Sequence, residues 1–237
     1  MNEQSNAPLS PMPGAPTPVY QVWLNALTKP NEQTFAEMAA SPNAKSTTAL
    51  LWVFIGSLVN FFFASLVQGA VMRQMMQQYG GDGQFQFGTG NRLISVVCGA
   101  PIAAVISVVI FAAVVGIVQF IARAFGGTGT FDQMAYTSAA IWTPFTLISS
   151  VLTLLSAIPF VGLCFGLVSL VALLYVLFLA VTAVKGVNQV GWGQAAGSCL
   201  LPVVGLCCCL SIGSFAIVQA LGPAMNDIFN SIQQSVP

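Results

Sequence analysis

The stretch "RLISVVCGAPIAAVISVVIFAAVVGIVQFIAR", residues 92–123, decides the fold class of this chain. Between its two arginines lie 30 uncharged residues, whereas about 20 apolar residues suffice for a helix to cross a bilayer. The rest of the chain has the same character, since 56% of its 237 residues are hydrophobic and only 5% are charged. A soluble domain would carry roughly a quarter charged residues. The sequence therefore predicts an integral membrane protein.

The gaps between charged residues give the number of spans. Lys45 and Arg73 enclose 27 uncharged residues, Asp132 and Lys185 enclose 52, and Lys185 and Asp227 enclose 41. Allowing about 20 residues for each span, the predicted spans are 48–72, 99–122, 137–157, 161–184 and 196–220. The predicted fold class is an all-α bundle of five transmembrane helices, with short interfacial helices on the cytoplasmic side.

The distribution of basic residues predicts the orientation in the membrane. With five spans, four basic residues lie on the side of the membrane that holds the N-terminus: Lys29, Lys45, Arg123 and Lys185. The other two, Arg73 and Arg92, lie on the opposite side. Because basic residues concentrate in cytoplasmic loops, we expect a cytoplasmic N-terminus and an external C-terminus. The expected location is the plasma membrane if the chain is prokaryotic. The polar, Pro-rich N-terminus lacks the basic and apolar regions of a cleaved signal peptide.

These spans imply four regions. Residues 1–18 are expected to form a disordered cytoplasmic tail, 19–46 a cytoplasmic or interfacial helical arm, 47–221 the five-span domain, and 222–237 a short extracytoplasmic tail. In the arm, apolar residues from Tyr20 to Leu27 recur at helical spacing. Such a segment commonly lies in the membrane interface, although packing on a cytoplasmic loop is an open alternative. The Gly- and Gln-rich loop 75–91 is expected to be external and mobile.

Two short segments share one pattern. "TFAEMAAS" (34–41) and "TFDQMAYTS" (130–138) both read Thr-Phe-x-Glu/Gln-Met-Ala. In each, the Thr can cap a helix whose fourth position carries Glu or Gln, which is the reciprocal capping pattern. The pattern is consistent with two hairpins, each introduced by a short capped helix, although coincidence is an open alternative.

The glycine-rich stretch "ARAFGGTGTFDQMAY" (122–136) separates two spans. A phosphate-binding loop would end in Gly-Lys-Ser/Thr, but here the glycines are followed by Thr130 and Phe131. We therefore interpret the stretch as a cytoplasmic turn, with Gly126 or Gly127 as a left-handed helix C-cap. An additional role in docking a partner is left open. The candidate residues of the turn are Arg123, Gly126, Gly127, Gly129, Thr130 and Phe131.

The same turn carries a family resemblance. The segments "LTKPNEQTF" and "ARAFGGTGTFDQMAYTSAAIWTPF", with three closing apolar spans, resemble the Yip domain family over residues 20–221. The glycines and Phe131 of the turn, followed by Pro144 in the next span, carry the match. This family is named for interacting with Ypt/Rab GTPases, and the resemblance implies five spans with a cytoplasmic N-terminus. The short N-terminal arm disfavours a Rab-type partner and looks more like the family's prokaryotic members.

The residue types exclude several kinds of chemistry. The chain contains no His, which removes Ser-His hydrolysis and most metalloprotease sites. All six carboxylates lie outside the predicted spans. Ion-coupled transporters, by contrast, usually carry an ionisable group inside a span. The net charge of zero gives no footprint for nucleic acid. We therefore predict no enzyme, no catalytic or metal-binding residue, no cofactor and no nucleic-acid partner.

Small and polar residues recur along the predicted spans. Such faces let helices approach closely and hydrogen-bond to one another. Packing within the bundle is the favoured interpretation, with a water-filled path or a homo-oligomer interface as alternatives. The third span adds a stripe of Thr and Ser at 143, 146, 150 and 153. The candidate helix-packing residues are Gly56, Asn60, Gln68, Pro144, Gly162, Gly166, Gly205 and Gly213.

The sequence thus favours a non-catalytic multi-pass protein that binds or organises other membrane components, as a scaffold or accessory subunit. Its predicted partners are the lipid bilayer and either other membrane proteins or further copies of the chain. The alternative is a passive channel or small-solute permease lined by Asn60, Gln68 and the Thr/Ser stripe.

Overall fold

The computed structural model describes residues 18–78, 89–155, 161–205 and 208. In these ranges all regular secondary structure is helical, which confirms the all-α class. The helices are α1 (Val19–Thr28), α2 (Glu32–Ala39), α3 (Ser46–Gln78), α4 (Thr89–Ala124), α5 (Phe131–Leu155) and α6 (Val161–Asn188). Residues 192–205 are helical as well.

Helix α5 occupies the centre of the bundle and contacts each of the helices α1, α2, α3, α4 and α6. Its core face consists largely of small residues, and Ala135, Ala139 and Ala140 are fully buried. Small residues allow helix backbones to approach closely. By contrast, α4 and α6 turn many large apolar side chains outward, among them Phe120, Val171 and Leu174.

Three stretches are long and apolar enough to cross a membrane: Ser46–Ser65, Val97–Ala124 and Val168–Asn188. They coincide with the predicted first, second and fourth spans. Helix α5 lies where the third span was predicted, but its Thr and Ser residues lower the hydropathy of its described part. The structure therefore supports an integral membrane protein, while the count of five spans stays a prediction.

The predicted bounds of the loop 75–91 are wrong at both ends. Helix α3 runs to Gln78 and α4 begins at Thr89, so that only 79–88 lie between the two helices. Those ten residues, the tail 1–17 and the tail 222–237 are outside the described residues. Helix α3 extends beyond its apolar window because Gln and Met are good helix formers even where hydropathy falls.

The arm formed by α1 and α2 packs directly on the bundle. The ring of Trp23 in α1 meets Trp52 of α3 edge-on, with ring centroids 5.7 Å apart. The ring centroid of Trp52 in turn lies 5.0 Å from that of Tyr136 of α5. In α2, Phe35 is completely buried. The arm is thus fixed to the helices by its own aromatic residues.

The predicted cap at Thr34 is wrong. Helix α2 begins at Glu32, and its N-cap is Asn31, whose Oδ1 accepts a hydrogen bond from the Thr34 backbone N–H at 2.6 Å. Asn is at least as good an N-cap as Thr, and it comes three residues earlier. The two similar segments therefore begin their helices differently.

The polar stripes on α3 and α5 face each other. The Asn60 side chain accepts a hydrogen bond from the Ser150 hydroxyl at 3.1 Å. One turn earlier, a β-carbon at Gly56 would lie 3.1 Å from Thr143 Cγ2 and 3.3 Å from Thr146 Oγ1. Pro144 is buried in the same helix. In this part of the bundle the small and polar residues pack against one another.

Candidate functional site at the glycine-rich turn

The glycine-rich turn begins with a helix C-cap of the Schellman type. The Gly127 N–H donates to the Ala122 carbonyl and the Gly126 N–H donates to the Arg123 carbonyl, both at 2.9 Å. This pair of hydrogen bonds accompanies a left-handed conformation of the residue after the helix. Gly126 has φ +92°, a conformation that costs a residue with a β-carbon free energy. Of the two glycines predicted as the cap, Gly126 therefore fills the role.

The next two glycines are required for space. A β-carbon at Gly127 would lie 2.9 Å from both Cβ and Oδ1 of Asn188, the last residue of α6. A β-carbon at Gly129 would lie 2.8 Å from Asn188 Oδ1 and from Val187 Cγ1. The turn therefore closes around the end of α6, with a glycine on either side of Asn188.

Asn188 is held by a reciprocal pair of amide hydrogen bonds. The Gln119 amide of α4 donates to Asn188 Oδ1 at 2.9 Å, and Asn188 Nδ2 donates to Gln119 Oε1 at 3.2 Å. The remaining amide protons go to the Gly129 carbonyl at 2.6 Å and to the Val184 carbonyl at 3.2 Å. Both side chains are almost completely buried. All four amide protons are therefore used, as a low-water environment demands.

Most backbone N–H groups of the turn also donate hydrogen bonds within the chain. Besides the two bonds of the C-cap, the Thr128 N–H donates to the Asn188 carbonyl at 3.2 Å. The Thr130 N–H donates to Gln133 Oε1 at 2.9 Å. A phosphate loop cradles its ligand with free N–H groups. Because four N–H groups of this turn are already bonded within the chain, its geometry suits a structural clasp on α6.

The start of α5 carries the predicted reciprocal cap. Thr130 Oγ1 accepts from the Gln133 N–H at 3.3 Å, while the Gln133 side chain accepts from the Thr130 N–H. Next to it, Asp132 Oδ1 accepts from the Ser46 N–H at the start of α3, at 3.2 Å. Hydrogen bonds from the Ser46 side chain and backbone lower the pKa of the Asp132 carboxyl below its ordinary value. One carboxylate thus joins the first turns of two helices.

The last turn of α6 also holds the arm. Lys185 forms an ion pair with Glu32 of α2, and its Nζ lies 4.6 Å from the ring centroid of Trp192. A β-carbon at Gly186 would lie 2.5 Å from the Glu32 carbonyl oxygen. The consecutive residues Lys185 to Asn188 therefore bind the arm, the ring of Trp192, the glycine-rich turn and α4.

The other candidate residues differ in what they contact. Arg123 is exposed and donates from Nε to the Gly129 carbonyl at 3.3 Å, while Phe131 is exposed beside Gly116 of α4. A partner-docking role for either stays a prediction. At Gly205 a β-carbon would meet no described atom within 4 Å, so packing there is not seen. The side chain of Gln68 and the surroundings of Gly162, Gly166 and Gly213 lie outside the described residues.

Sequence reasoning missed Gln119 and Asn188, which complete the site. Gln119 is the one amide residue in the long uncharged stretch 93–122, four residues before Arg123. Asn188 lies at the end of an apolar helix in "KGVNQVGWGQ", which reads as a simple break between spans. The available signal was a single amide near the same end of two apolar helices, because amide side chains hydrogen-bond across helices in a membrane.

The family model of the Yip1 domain matches residues 24–213. The chain belongs to the Yip1 domain family. No curated protein and no solved structure matches it. The match confirms the family resemblance seen in the sequence. It covers the second half of α1, helix α2, the glycine-rich turn and the helices α3 to α6 of this Yip1 domain protein.

Proposed function

We propose that this Yip1 domain protein is a non-catalytic scaffold or accessory subunit that binds or organises other components of its membrane. The observation that carries the proposal is the contrast between a closed interior and an open outer surface. The side-chain amides of Gln119 and Asn188 bond to each other, and four N–H groups of the turn donate to oxygen atoms of the chain. These donors are therefore engaged within the chain.

The outer surface is extensive and apolar. In the most apolar window of the α4 span only 11% of the residues are buried inside the structure, and in the α6 span 33%. Phe120 on α4 is 76% exposed. Large apolar surfaces are where membrane proteins meet lipids or each other, so α4 is the side on which we propose that a partner docks. Other membrane proteins and a second copy of the chain are the two partner classes.

A photoreactive residue at position 120 tests the proposal in native membranes. We expect a discrete protein adduct, abolished by Val109→Trp, since Val109 is an outward residue of the same helix and 63% exposed. The matched control places the reagent at Val171, which is 67% exposed on α6 and should give lipid adducts alone. Lipid adducts alone at both positions would contradict a scaffold role for this face.

The passive permease is the second class to be tested. Asn60 is bonded to Ser150, and Gly56 packs on the Thr143 region, so the described stripes contact one another. Purified protein in vesicles should therefore give no solute flux above that of empty vesicles. A flux that Asn60→Leu removes would support the permease instead. We further propose that the N-terminus is cytoplasmic and that residues 47–221 form five spans.

A further inference from the structure

We propose that α1 is inserted into the lipid bilayer and that the membrane boundary at this end of the bundle passes between α1 and α2. The proposal goes beyond a scaffold role, because it concerns the lipid and needs no other protein. It assigns an occupant to the outward face of α1, formed by Val19, Tyr20 and Leu24.

The two helices of the arm turn opposite kinds of surface outward. On α1 the side chains of Val19, Tyr20 and Leu24 are 43%, 61% and 57% exposed, and the helix contains no charged residue. On α2 the exposed residues include Glu32, Gln33 and Glu37, while its apolar side chains are buried. An exposed charged face requires water, whereas an exposed uncharged face with aromatic and aliphatic side chains fits the acyl and headgroup boundary.

The contacts of α1 place it nearer to the middle of the bundle than the polar ends of the spans are. Trp23 packs on Trp52, which lies six residues, or about 9 Å of helix, inside the start of α3. At its other end, the Leu27 carbonyl accepts a hydrogen bond from the Tyr175 hydroxyl. Tyr175 precedes Lys185 by ten residues, which is about 15 Å along α6. By contrast, Glu32 of α2 meets Lys185 itself.

Hydrogen bonds from within the protein reach part of the C-terminal end of α1. The last carbonyls of a helix lack partners within it, and in the bilayer each unsatisfied group costs several kcal/mol. Here the Thr28 hydroxyl donates to the Leu24 carbonyl at 2.6 Å, and the Lys29 N–H donates to the Asn25 carbonyl at 3.0 Å. With the bond from Tyr175 to Leu27, two of the last four carbonyls of α1, those of Asn25 and Leu27, have donors that do not require water.

The C-terminal end of α1 is bonded to the exposed flank of α6 at Tyr175. Tyr175, whose hydroxyl bonds α1, is itself 40% exposed, and Leu174 and Phe178 beside it are 59% and 46% exposed. All three belong to the candidate span Val168–Asn188. A surface that joins the outer side of a membrane span at this depth meets the same acyl chains. Lipid is therefore the occupant that we assign to α1.

Spin labels on the full chain measure the boundary directly. With the native cysteines replaced, single labels at positions 20 and 24 are compared with labels at 33 and 37 in phosphatidylcholine–phosphatidylglycerol vesicles. Molecular oxygen concentrates in the bilayer and a nickel chelate stays in water. We expect the ratio of oxygen to nickel collisions to be severalfold higher at positions 20 and 24 than at the two positions on α2.

Two outcomes would overturn the proposal. Nickel collisions at positions 20 and 24 equal to those at 33 and 37 would place α1 in water. Shielding of positions 20 and 24 from both reagents would mean that a protein partner covers the face. A photoreactive residue at position 24, with all native cysteines kept, provides the second measurement: phospholipid adducts support the proposal, and protein adducts alone contradict it.

Discussion

Gly127 in the glycine-rich turn lies so close to Asn188 at the end of α6 that no side chain fits between them. A β-carbon at 127 would come within 2.9 Å of Asn188 Cβ and within 2.8 Å of the Ala122 carbonyl oxygen. The positive φ of the turn belongs to its neighbour Gly126. The glycine at 127 is therefore required by the close approach of the turn to the end of α6.

Replacing Gly127 with Ala should destabilise the protein by about 1–3 kcal/mol, the usual cost of overpacking a tight interior. The matched control is Gly193→Ala, because a β-carbon at Gly193 would meet nothing within 4 Å. The free energy of unfolding in mixed detergent measures both variants. Equal stabilities of the two would contradict the clasp geometry.

The amide pair of Gln119 and Asn188 should behave as a unit. Gln119→Leu or Asn188→Leu alone leaves a buried amide without its partner, at a cost of about 1–3 kcal/mol. The double variant removes both amides, so its loss should be smaller than the sum, with a coupling of about 0.5–3 kcal/mol. A double-mutant cycle of unfolding free energies measures this. Strict additivity would mean that the two amides do not interact.

Thr130→Ala should cost about 0.5–2 kcal/mol, because the cap of α5 is lost. Thr128→Ala is the control, since it keeps the backbone bond from residue 128 to Asn188 and leaves the cap intact. Neither variant should alter nucleotide affinity, which we expect to be undetectable. Saturable ATP or GTP binding at micromolar concentration, removed by Gly127→Val in a folded protein, would instead restore the phosphate-loop interpretation.

Asp132 should make stability depend on pH in the acid range. Its pKa is lowered in the folded state by the hydrogen bonds from Ser46. Its contribution is therefore complete above the unfolded pKa of about 3.9, and it is lost as pH falls through the lower folded value. The melting temperature should fall more steeply below about pH 4 in the unmodified protein than in Asp132→Asn. Ser46→Ala keeps the backbone donor, so its melting temperature should depend on pH to an intermediate degree. Identical pH profiles of the three proteins would contradict the hydrogen bond between Asp132 and Ser46.

The topology can be tested at the two tails. In a background without native cysteines, a cysteine at Ser10 should be labelled from the cytoplasm and one at Asn230 from outside, because five spans place the tails on opposite sides. Both positions lie outside the described residues. Labelling of both from the same side would require an even number of spans.

Long helices and their caps were predictable from local sequence, whereas contacts between distant segments were not. The uncharged stretches gave three spans, and the pairing of Thr130 with Gln133 followed from their spacing of three residues. Asn188 pairs with Gln119 across 69 residues. No periodicity within either helix specifies that partner, since side-chain partners in a bundle depend on how the helices are placed.

The same limit explains the two errors at helix starts and loop ends. Thr34 matched the capping pattern, but Asn31 is a competing cap three residues earlier. The loop 75–91 looked irregular because its composition is polar, yet α3 keeps its backbone hydrogen bonds to Gln78. Composition marks where a helix leaves the apolar region, whereas hydrogen bonding decides where it ends.

The position of Asn188 late in the chain has a consequence for biosynthesis. A ribosome delivers Gln119, the glycine-rich turn and the arm before residues 185–188 exist, so these elements await the segment that joins them. Until α6 arrives, the Gln119 amide must be satisfied by water or by a membrane insertase. A nascent chain stopped before residue 185 should therefore stay susceptible to quality-control proteolysis, and one extended past Trp192 should become resistant.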